Sequence, residues 1–183
     1  MADIREPEPV KLIVGMLSAW AEAMAAAEVA LAEHCGPVDL QSDVMSHDFT
    51  DYYRADMGHP LLRRFIAMDR LIDPADLPGI KRRTNDLERS LAASGRWSAA
   101  RRPVNLDPGY LTPAKLVLAS CKDYTHRIYL RDGVYAETTL GFTRGGWQCY
   151  EWTYPDFRTP QYQAFLTRVR ERLMAQRKES RRP

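Results

Sequence analysis

Residues 126–142 read HRIYLRDGVYAETTLGF, two β-favouring segments on either side of Asp132-Gly133. An Asp-Gly pair between such segments is a strong signal for a β-hairpin with a two-residue turn. A loop of that length puts His126 on the same face as Glu137 and Arg127 on the opposite face. The same register makes the apolar residues beside them the expected core of the hairpin: Ile128, Leu130 and Tyr135. The C-terminal half of the chain is therefore predicted to form antiparallel sheet.

The elements before this hairpin alternate between strand-like and helix-like periodicity. The predicted order is strand Lys11–Leu17, helix Ala19–Glu33, strand Val38–Phe49, a strand or helix over Leu61–Ile72, a helix starting at Asp73-Pro74, strands Val104–Leu106 and Ala114–Ser120, the hairpin, strand Trp147–Trp152 and a final helix capped by Thr159-Pro160. This order predicts an α+β domain with a largely antiparallel sheet and two or three packed helices. A ferredoxin-like arrangement with an added hairpin is one form of it.

A type II turn is predicted at Asp107-Pro108-Gly109-Tyr110, between the two strands that precede the hairpin. Proline in the second position and glycine in the third are typical of that turn. Asn105 and Asp107 would then project from one face of the strand, since side chains alternate along it.

Composition and charge favour one globular domain. Of 183 residues, 45% are hydrophobic and 27% charged, with a net charge of +2. Residues 168–183 carry seven Lys and Arg against two Glu, so the rest of the chain is mildly acidic. We expect a flexible arm over 1–10, a single domain over 11–175 and a basic tail over 176–183. The tail is either a solvated helix end or a weak, non-specific contact for nucleic acid.

Several protein classes are disfavoured. No apolar run approaches the roughly 20 residues of a membrane-spanning helix. The start, MADIREPEPV, is acidic and unlike a signal or transit peptide. Three cysteines without a C-x-x-C pattern are expected to be reduced core residues rather than a disulfide or zinc framework. We therefore expect a soluble cytoplasmic protein without membrane contact, and the oligomeric state is not predicted.

Polar residues gather in four clusters at predicted strand ends and loops: 47–53, 101–110, 120–129 and 152–157. Carboxylates beside an imidazole suit a proton relay or a hard cation such as Mg²⁺. Lysine and arginine suit an anion such as phosphate. Capped turns, surface ion pairs and a satellite aromatic core are the structural alternatives.

The candidate roles follow from these residue types. The predicted catalytic residues are His126, Glu137, Asp107 and Asp48. The predicted ligand-binding residues are Lys122, Arg127, Arg102, Asn105, Asp51, Tyr53, Trp152, Tyr154 and Asp156. The predicted metal ligands are Asp48, Asp107 and Glu137, with Mg²⁺ as the candidate ion. We expect the four catalytic candidates to share one cleft.

The clusters together resemble the uncharacterised bacterial domain-of-unknown-function family 4416. The residues that carry the resemblance are Val14–Leu17, Asp48–Tyr53, Met57-Gly58, Asn105–Tyr110, Lys115–Ser120, Lys122-Asp123, His126–Tyr129, Tyr135–Glu137, Thr139-Leu140 and Trp152–Asp156. The match runs in order over about residues 11–175, and Phe157 stands where tyrosine is expected. The resemblance implies that the clusters are features of the family and form one shared site.

Three functions remain open at this point. The first is an enzyme that acts on a phosphorylated or anionic small molecule or a nucleotide, with or without Mg²⁺. The second is a non-catalytic nucleotide- or RNA-binding module that stacks bases on Trp152 and Tyr154. The third is a structural or partner-binding protein whose clusters are buried hydrogen-bond networks. The signature motifs of P-loop, dinucleotide-binding, α/β-hydrolase and zincin enzymes are missing from the sequence.

Overall fold

The body of the protein is one β-sheet, in which every pair of neighbouring strands is antiparallel. The computed structural model describes residues 3–50, 52–97 and 99–181. The strands are β1 (Val10–Ser18), β2 (Val38–Gln41), β3 (Met45–Ser46), β4 (Leu62–Ile72), β5 (Asn105–Leu111), β6 (Lys115–Ser120), β7 (Ile128–Arg131), β8 (Val134–Thr143) and β9 (Gly146–Cys149). The helices are α1 (Ala21–Cys35), α2 (Arg54–Met57), α3 (Leu77–Ala93) and α4 (Pro160–Ser180), and short 3-10 turns cover Pro74–Asp76 and Asp156–Arg158.

The strand order is β2-β4-β1-β5-β6-β8-β7, with β3 on β4 and β9 on β8. Its first four strands, together with α1 between β1 and β2 and α3 between β4 and β5, form the βαββαβ arrangement of a ferredoxin-like fold. The strands from β6 onward extend that sheet on the β5 side. The predicted α+β class and largely antiparallel sheet are confirmed.

The two faces of the sheet carry different layers. Leu12, Val14 and Met16 of β1 pack with buried residues of α1 and α3, whereas Ile13 packs with α4. Alternation along a strand produces this division, and β1 is buried on both faces because it is central. The face toward α4 carries the polar groups described below.

The type II turn predicted at residues 107–110 is wrong, because β5 runs straight through them to Leu111. β5 pairs with β6 only from Gly109 onward, so Pro108, which has no N–H to donate, precedes that ladder. Glycine is required at position 109 because β5 and β6 approach closely there, and not because of a turn. A Cβ at this position would lie 2.4 Å from the carbonyl oxygen of Val117. The ambiguous segment over Leu61–Ile72 is the strand β4.

The Asp132-Gly133 turn is confirmed, with Arg131 opposite Val134 and both loop residues at positive φ. The predicted faces are wrong, because a bulge between Tyr129 and Arg131 shifts the register and places Ile128 opposite Ala136. An extra residue in one strand moves every side chain beyond it to the other face. Of the expected core residues, Ile128 and Leu130 are exposed and Tyr135 is half-buried.

The segment before β1 contacts α4, which continues through Ser180, past the expected start of the tail at residue 176. Arg177 donates to the carbonyl oxygen of Pro9 (2.6 Å) and pairs with Glu8 (2.7 Å). The cysteines are free, but Cys121 and Cys149 are exposed, so their predicted place in the core is wrong.

Replacing Gly109 by alanine should destabilise the fold, because the new methyl group meets backbone of β6 that cannot rotate away. Overpacking of this kind costs about 2 kcal/mol or more, and the melting temperature should fall by about 4 °C or more. Thermal unfolding followed by circular dichroism measures it. Gly145→Ala is the matched control, since the nearest atoms to its Cβ lie 3.9 and 4.0 Å away. Equal melting temperatures for the two variants would contradict the close approach of β5 and β6.

Candidate functional site

A buried arginine, Arg63 of β4, joins two carboxylates on the α4 side of the sheet. Its guanidinium donates to Asp156 (3.1 Å) and to Asp107 (3.3 Å). Burial alone would lower the pKa of Arg63, but Asp156 and Asp107 outweigh burial and raise it above its ordinary value. The guanidinium is therefore a permanent buried cation held by two anions.

Gly15 of β1 makes room for this arginine. It lies opposite Phe65 on β4 and opposite Asp107 on β5. A Cβ at position 15 would come within 3.2 Å of Arg63 Nη1 and 3.0 Å of the Phe65 ring. The lack of a side chain in the central strand thus lets the guanidinium cross β1 toward Asp107.

Asp107 is the accessible end of this ionic group, with its side chain 31% exposed. Its Oδ2 accepts from Asn105 Nδ2 (2.6 Å), and its Oδ1 lies 3.9 Å from Nζ of Lys81, which reaches it from α3. Burial raises the pKa of Asp107, but Lys81 and Arg63 outweigh burial and hold it below its usual range. Asp107 therefore presents an ionised carboxylate to the surface at neutral pH.

A second carboxylate, Glu137 of β8, lies on the same face of the sheet, since Gly109 and Glu137 are both paired with Leu118. It is almost fully buried and accepts hydrogen bonds from Arg127 (2.8 Å), Thr139 (3.1 Å) and the His126 ring (3.2 Å). Glu137 thus contacts His126, and Arg127, which was expected on the opposite face, contacts Glu137 as well.

Arg127 is engaged by groups of the protein and is not available to bind an anionic ligand. Besides Glu137 it donates to Ser120 Oγ (2.7 Å), the carbonyl oxygen of Lys122 (2.9 Å) and the Tyr154 hydroxyl (2.6 Å). Its side chain is 5% exposed. These bonds fix the loop between β6 and β7 against β8 and against the segment before α4.

Tyr154 is joined to the Glu137 centre through Arg127, which donates to its hydroxyl. Burial raises its pKa to about 12, with further contributions from Glu137 and Asp107, so the phenol stays protonated. Its oxygen accepts from Arg127, which leaves its O–H free to donate. Tyr53 stands near Asp107, and burial followed by Asp107 raises its pKa as well. Lys122 donates to the Tyr52 hydroxyl (3.1 Å), and its ammonium group also lies over the Tyr52 ring. We call this exposed pair, Lys122 and Tyr52, the Lys122 rim.

The predicted single cleft of four catalytic residues is only partly present. Asp107 and Glu137 share a face but have separate partners, and Asp48 is an exposed residue that contacts Ser46 and lies 4.0 Å from His59. Asp51 lies outside the described residues. Within the described ranges no three His, Cys, Asp or Glu side chains group as metal ligands. The structure therefore does not bring Asp48, Asp107 and Glu137 together as one set of metal ligands, because each contacts different partners.

Other predicted ligand residues have internal partners. Arg102 forms a paired contact with Glu88 (2.7 and 2.9 Å), whose other oxygen accepts from the backbone of Leu106. Trp152 stacks with His126 (5.2 Å) and Tyr150 (5.1 Å) with nearly parallel rings, so its ring already has two stacking partners within the protein. Asp156 is buried against Arg63.

Sequence reasoning missed Arg63 and Lys81 and gave His47 no role of its own. The position of Arg63 in the strand indicates that its side chain points inward. It alternates with Phe65 and Ala67 on one face of β4, and both are buried in the core toward α4. A charged residue on an inward-facing position must be paired. The stretch R63-R64-F65 did not show which arginine points inward until the register of β4 was known.

The fold and site together define an α+β protein with a ferredoxin-like half-sheet and two buried arginine–carboxylate centres on its α4 face. A family model described as "Domain of unknown function (DUF4416)" matches residues 8–173, and the chain belongs to that family. No curated protein and no solved structure matches at the threshold applied. Among the described residues no helix has the length and apolarity needed to cross a bilayer.

Glu137→Gln should destabilise the protein, because it leaves the buried Arg127 guanidinium without its anionic partner. Removing one member of a buried ion pair costs about 3 kcal/mol. Urea unfolding of Glu137→Gln, Arg127→Met and the double variant measures the coupling between the two groups. Arg131→Gln, at the exposed hairpin tip, is the control and should change the free energy of unfolding by less than about 0.5 kcal/mol. Additive single-variant effects would show that the pair is not coupled.

Asp107→Asn should lose stability in a pH-dependent way. The pKa of Asp107 is lowered in the folded protein, so its ionised form stabilises the fold above its unfolded pKa of about 3.9. That contribution disappears as pH falls through the lower folded pKa. The difference in unfolding free energy between wild type and Asp107→Asn should therefore be constant from about pH 5 to 8 and shrink below about pH 4. Asp48→Asn, at an exposed position, is the control. A difference that persists unchanged to about pH 2 would rule out this role for Asp107.

Proposed function

We propose that this protein is an enzyme that binds a phosphorylated or otherwise anionic small molecule, a nucleotide being the type case, and moves a proton on it. The observation that supports this most is the pair of carboxylates, Asp107 and Glu137, on one sheet face, with the Tyr154 phenol bonded to the arginine that holds Glu137. Asp107 is ionised and accessible, whereas Glu137 is buried against His126. Two carboxylates in such different surroundings are suited to separate acid–base roles.

Recognition of the anion falls to Lys122, because the other predicted cations are engaged within the protein. Its ammonium group is held at the rim by the Tyr52 hydroxyl and ring. Tyr154 adds a hydroxyl proton that the described residues do not accept, and Asp107 adds an acceptor for ligand hydroxyl or amine groups. The described residues offer no ready set of three metal ligands, so Mg²⁺ is not part of this proposal.

The binding-module alternative is less favoured by these contacts. Trp152 already stacks with His126 and Tyr150, so base stacking would rest mainly on the exposed rings of Tyr52 and Tyr154. The basic end of α4 is also partly neutralised, because Arg172 pairs with Asp39 and Asp69, and Arg177 pairs with Glu8. A bacterial, cytoplasmic setting is part of the proposal, supported by the family resemblance and by free cysteines of which two are exposed.

Ligand binding should depend on Lys122 and Tyr154. The experiment screens ATP, GTP, their monophosphates, ribose 5-phosphate and inorganic phosphate by thermal shift, with and without Mg²⁺, and confirms hits by calorimetry. Lys122→Gln should raise the dissociation constant about tenfold, since a charge-assisted hydrogen bond contributes about 1.5 kcal/mol to binding. Tyr154→Phe should raise it about fivefold and reduce product formation, followed by mass spectrometry.

Lys115→Gln is the matched control, because Lys115 is an exposed lysine at the opposite end of β6. It should bind each compound as the wild type does. Absence of binding across the whole panel, or equal losses for Lys122→Gln and Lys115→Gln, would refute the proposed anion site.

A further inference from the structure

Three buried polar atoms without a hydrogen-bond partner lie around the Asp156 carboxylate: His47 Nδ1, Arg63 Nε and the Tyr162 hydroxyl. Arg64 Nε is the fourth such side-chain atom among the described residues. The Tyr162 phenol stands beside the Arg63 guanidinium, but its geometry falls short of a hydrogen bond. An unsatisfied buried group costs about 1–3 kcal/mol, so the His47 Nδ1 that faces Asp156 without a hydrogen bond requires an explanation.

His47 is held in a fixed place against this carboxylate. Its backbone N–H donates to the carbonyl oxygen of Leu61 (2.9 Å), directly after β3. The ring is buried, and Nδ1 lies 3.7 Å from Asp156 Oδ2. Nε2 makes no hydrogen bond with any described residue. One ring nitrogen therefore faces an anion, and the other is left for a ligand.

Asp156 is itself immobilised. Its Oδ2 accepts from Arg63 (3.1 Å), and its Oδ1 accepts from the backbone of Phe157 (3.0 Å). The carboxylate thus has a fixed direction toward the imidazole. An anion facing Nδ1 favours the tautomer with the proton on that nitrogen and the lone pair on Nε2.

The surroundings also keep this imidazole neutral. Burial and then Arg63 lower the pKa of His47, against the opposing effects of Asp156, Asp48 and Asp107. A neutral imidazole oriented by a carboxylate is the arrangement that general-base catalysis uses. A separation of 3.7 Å fits this role, because such contacts are often long without a ligand and shorten when one binds.

We propose that His47 is the proton acceptor of the site and that Asp156 is the residue that positions it. A ligand hydroxyl or water gives its proton to Nε2: the O–H bond breaks, an N–H bond forms and the electron pair stays on oxygen. The oxygen becomes the nucleophile, and the imidazolium is stabilised by Asp156. The proposal rests on the proposed function, because the anionic ligand at the Lys122 rim supplies the group to be deprotonated or attacked.

A catalytic His47 and a His47 that only fills space should differ in the reactivity of the ring toward an acylating reagent. The probe is diethyl pyrocarbonate, which acylates the lone pair of a neutral imidazole, applied to the full chain near pH 7 and mapped by mass spectrometry. His59, whose side chain is 51% exposed, is the internal reference. His47 should react at least as fast as His59 although it is buried. In Asp156→Asn the ratio of His47 to His59 modification should fall about tenfold, because the base loses its orienting anion.

Two further measurements keep the test decisive. Long-range ¹⁵N–¹H spectra of the wild type should show His47 with its proton on Nδ1, which settles the orientation even where Asp156→Asn fails to fold. For any compound that the binding panel identifies, His47→Gln should lose turnover and retain binding within about twofold. His47 that stays unmodified when His59 has fully reacted, or that carries its proton on Nε2, overturns the assignment. A reactive His47 in a protein that binds no member of the panel refutes the proposed function instead.

Discussion

The contact of Arg63 with Asp107 and Asp156 is the constraint on which the polar face of the sheet depends. A guanidinium cannot be buried without anions, and here the two anions come from β5 and from the turn before α4. The pairing brings the last helix onto the sheet in a defined place and leaves β1 no room for a side chain at Gly15. It also decides which carboxylate is buried and which reaches the surface. Asp156 is enclosed with His47, whereas Asp107, which accepts a hydrogen bond from the buried Asn105, is partly exposed.

A second arginine repeats this logic at β8. Arg127 binds Glu137 and draws in Ser120, the Lys122 carbonyl and Tyr154, so one side chain organises a loop that has no regular structure of its own. The guanidinium groups of Arg63 and Arg127 are therefore both bonded to groups within the protein. Among the described residues, Lys122, Tyr52 and Tyr154 are exposed near them, and Asp107 is partly exposed. The proposed function assigns the anionic ligand to these residues.

The sequence was sufficient to predict the long elements, because their apolar periodicity and capping residues agree with their tertiary environment. It misled at Pro108-Gly109, where the same two residues serve a turn in one context and a close strand approach in another. The Asp132-Gly133 loop was predicted correctly, yet the register shift between Tyr129 and Arg131 made the predicted faces of the hairpin wrong. The charged site could be predicted only in part. Asp107, His126 and Glu137 were found by type and spacing, whereas Arg63 depended on the register of β4 and on strands that follow much later in the chain.

That separation along the chain has a consequence for how the protein matures. Arg63 is synthesised 44 residues before Asp107 and 93 residues before Asp156. Lys11 of the first strand reaches Gln176 across 165 residues. Forming such distant contacts carries a large loop-closure entropy and is associated with slow folding. During synthesis Arg63 therefore emerges before either of its anionic partners, and burying it then would leave the charge unpaired. A chain that stopped between Asp107 and Asp156 would hold only one of the two anions that enclose this cation in the folded protein.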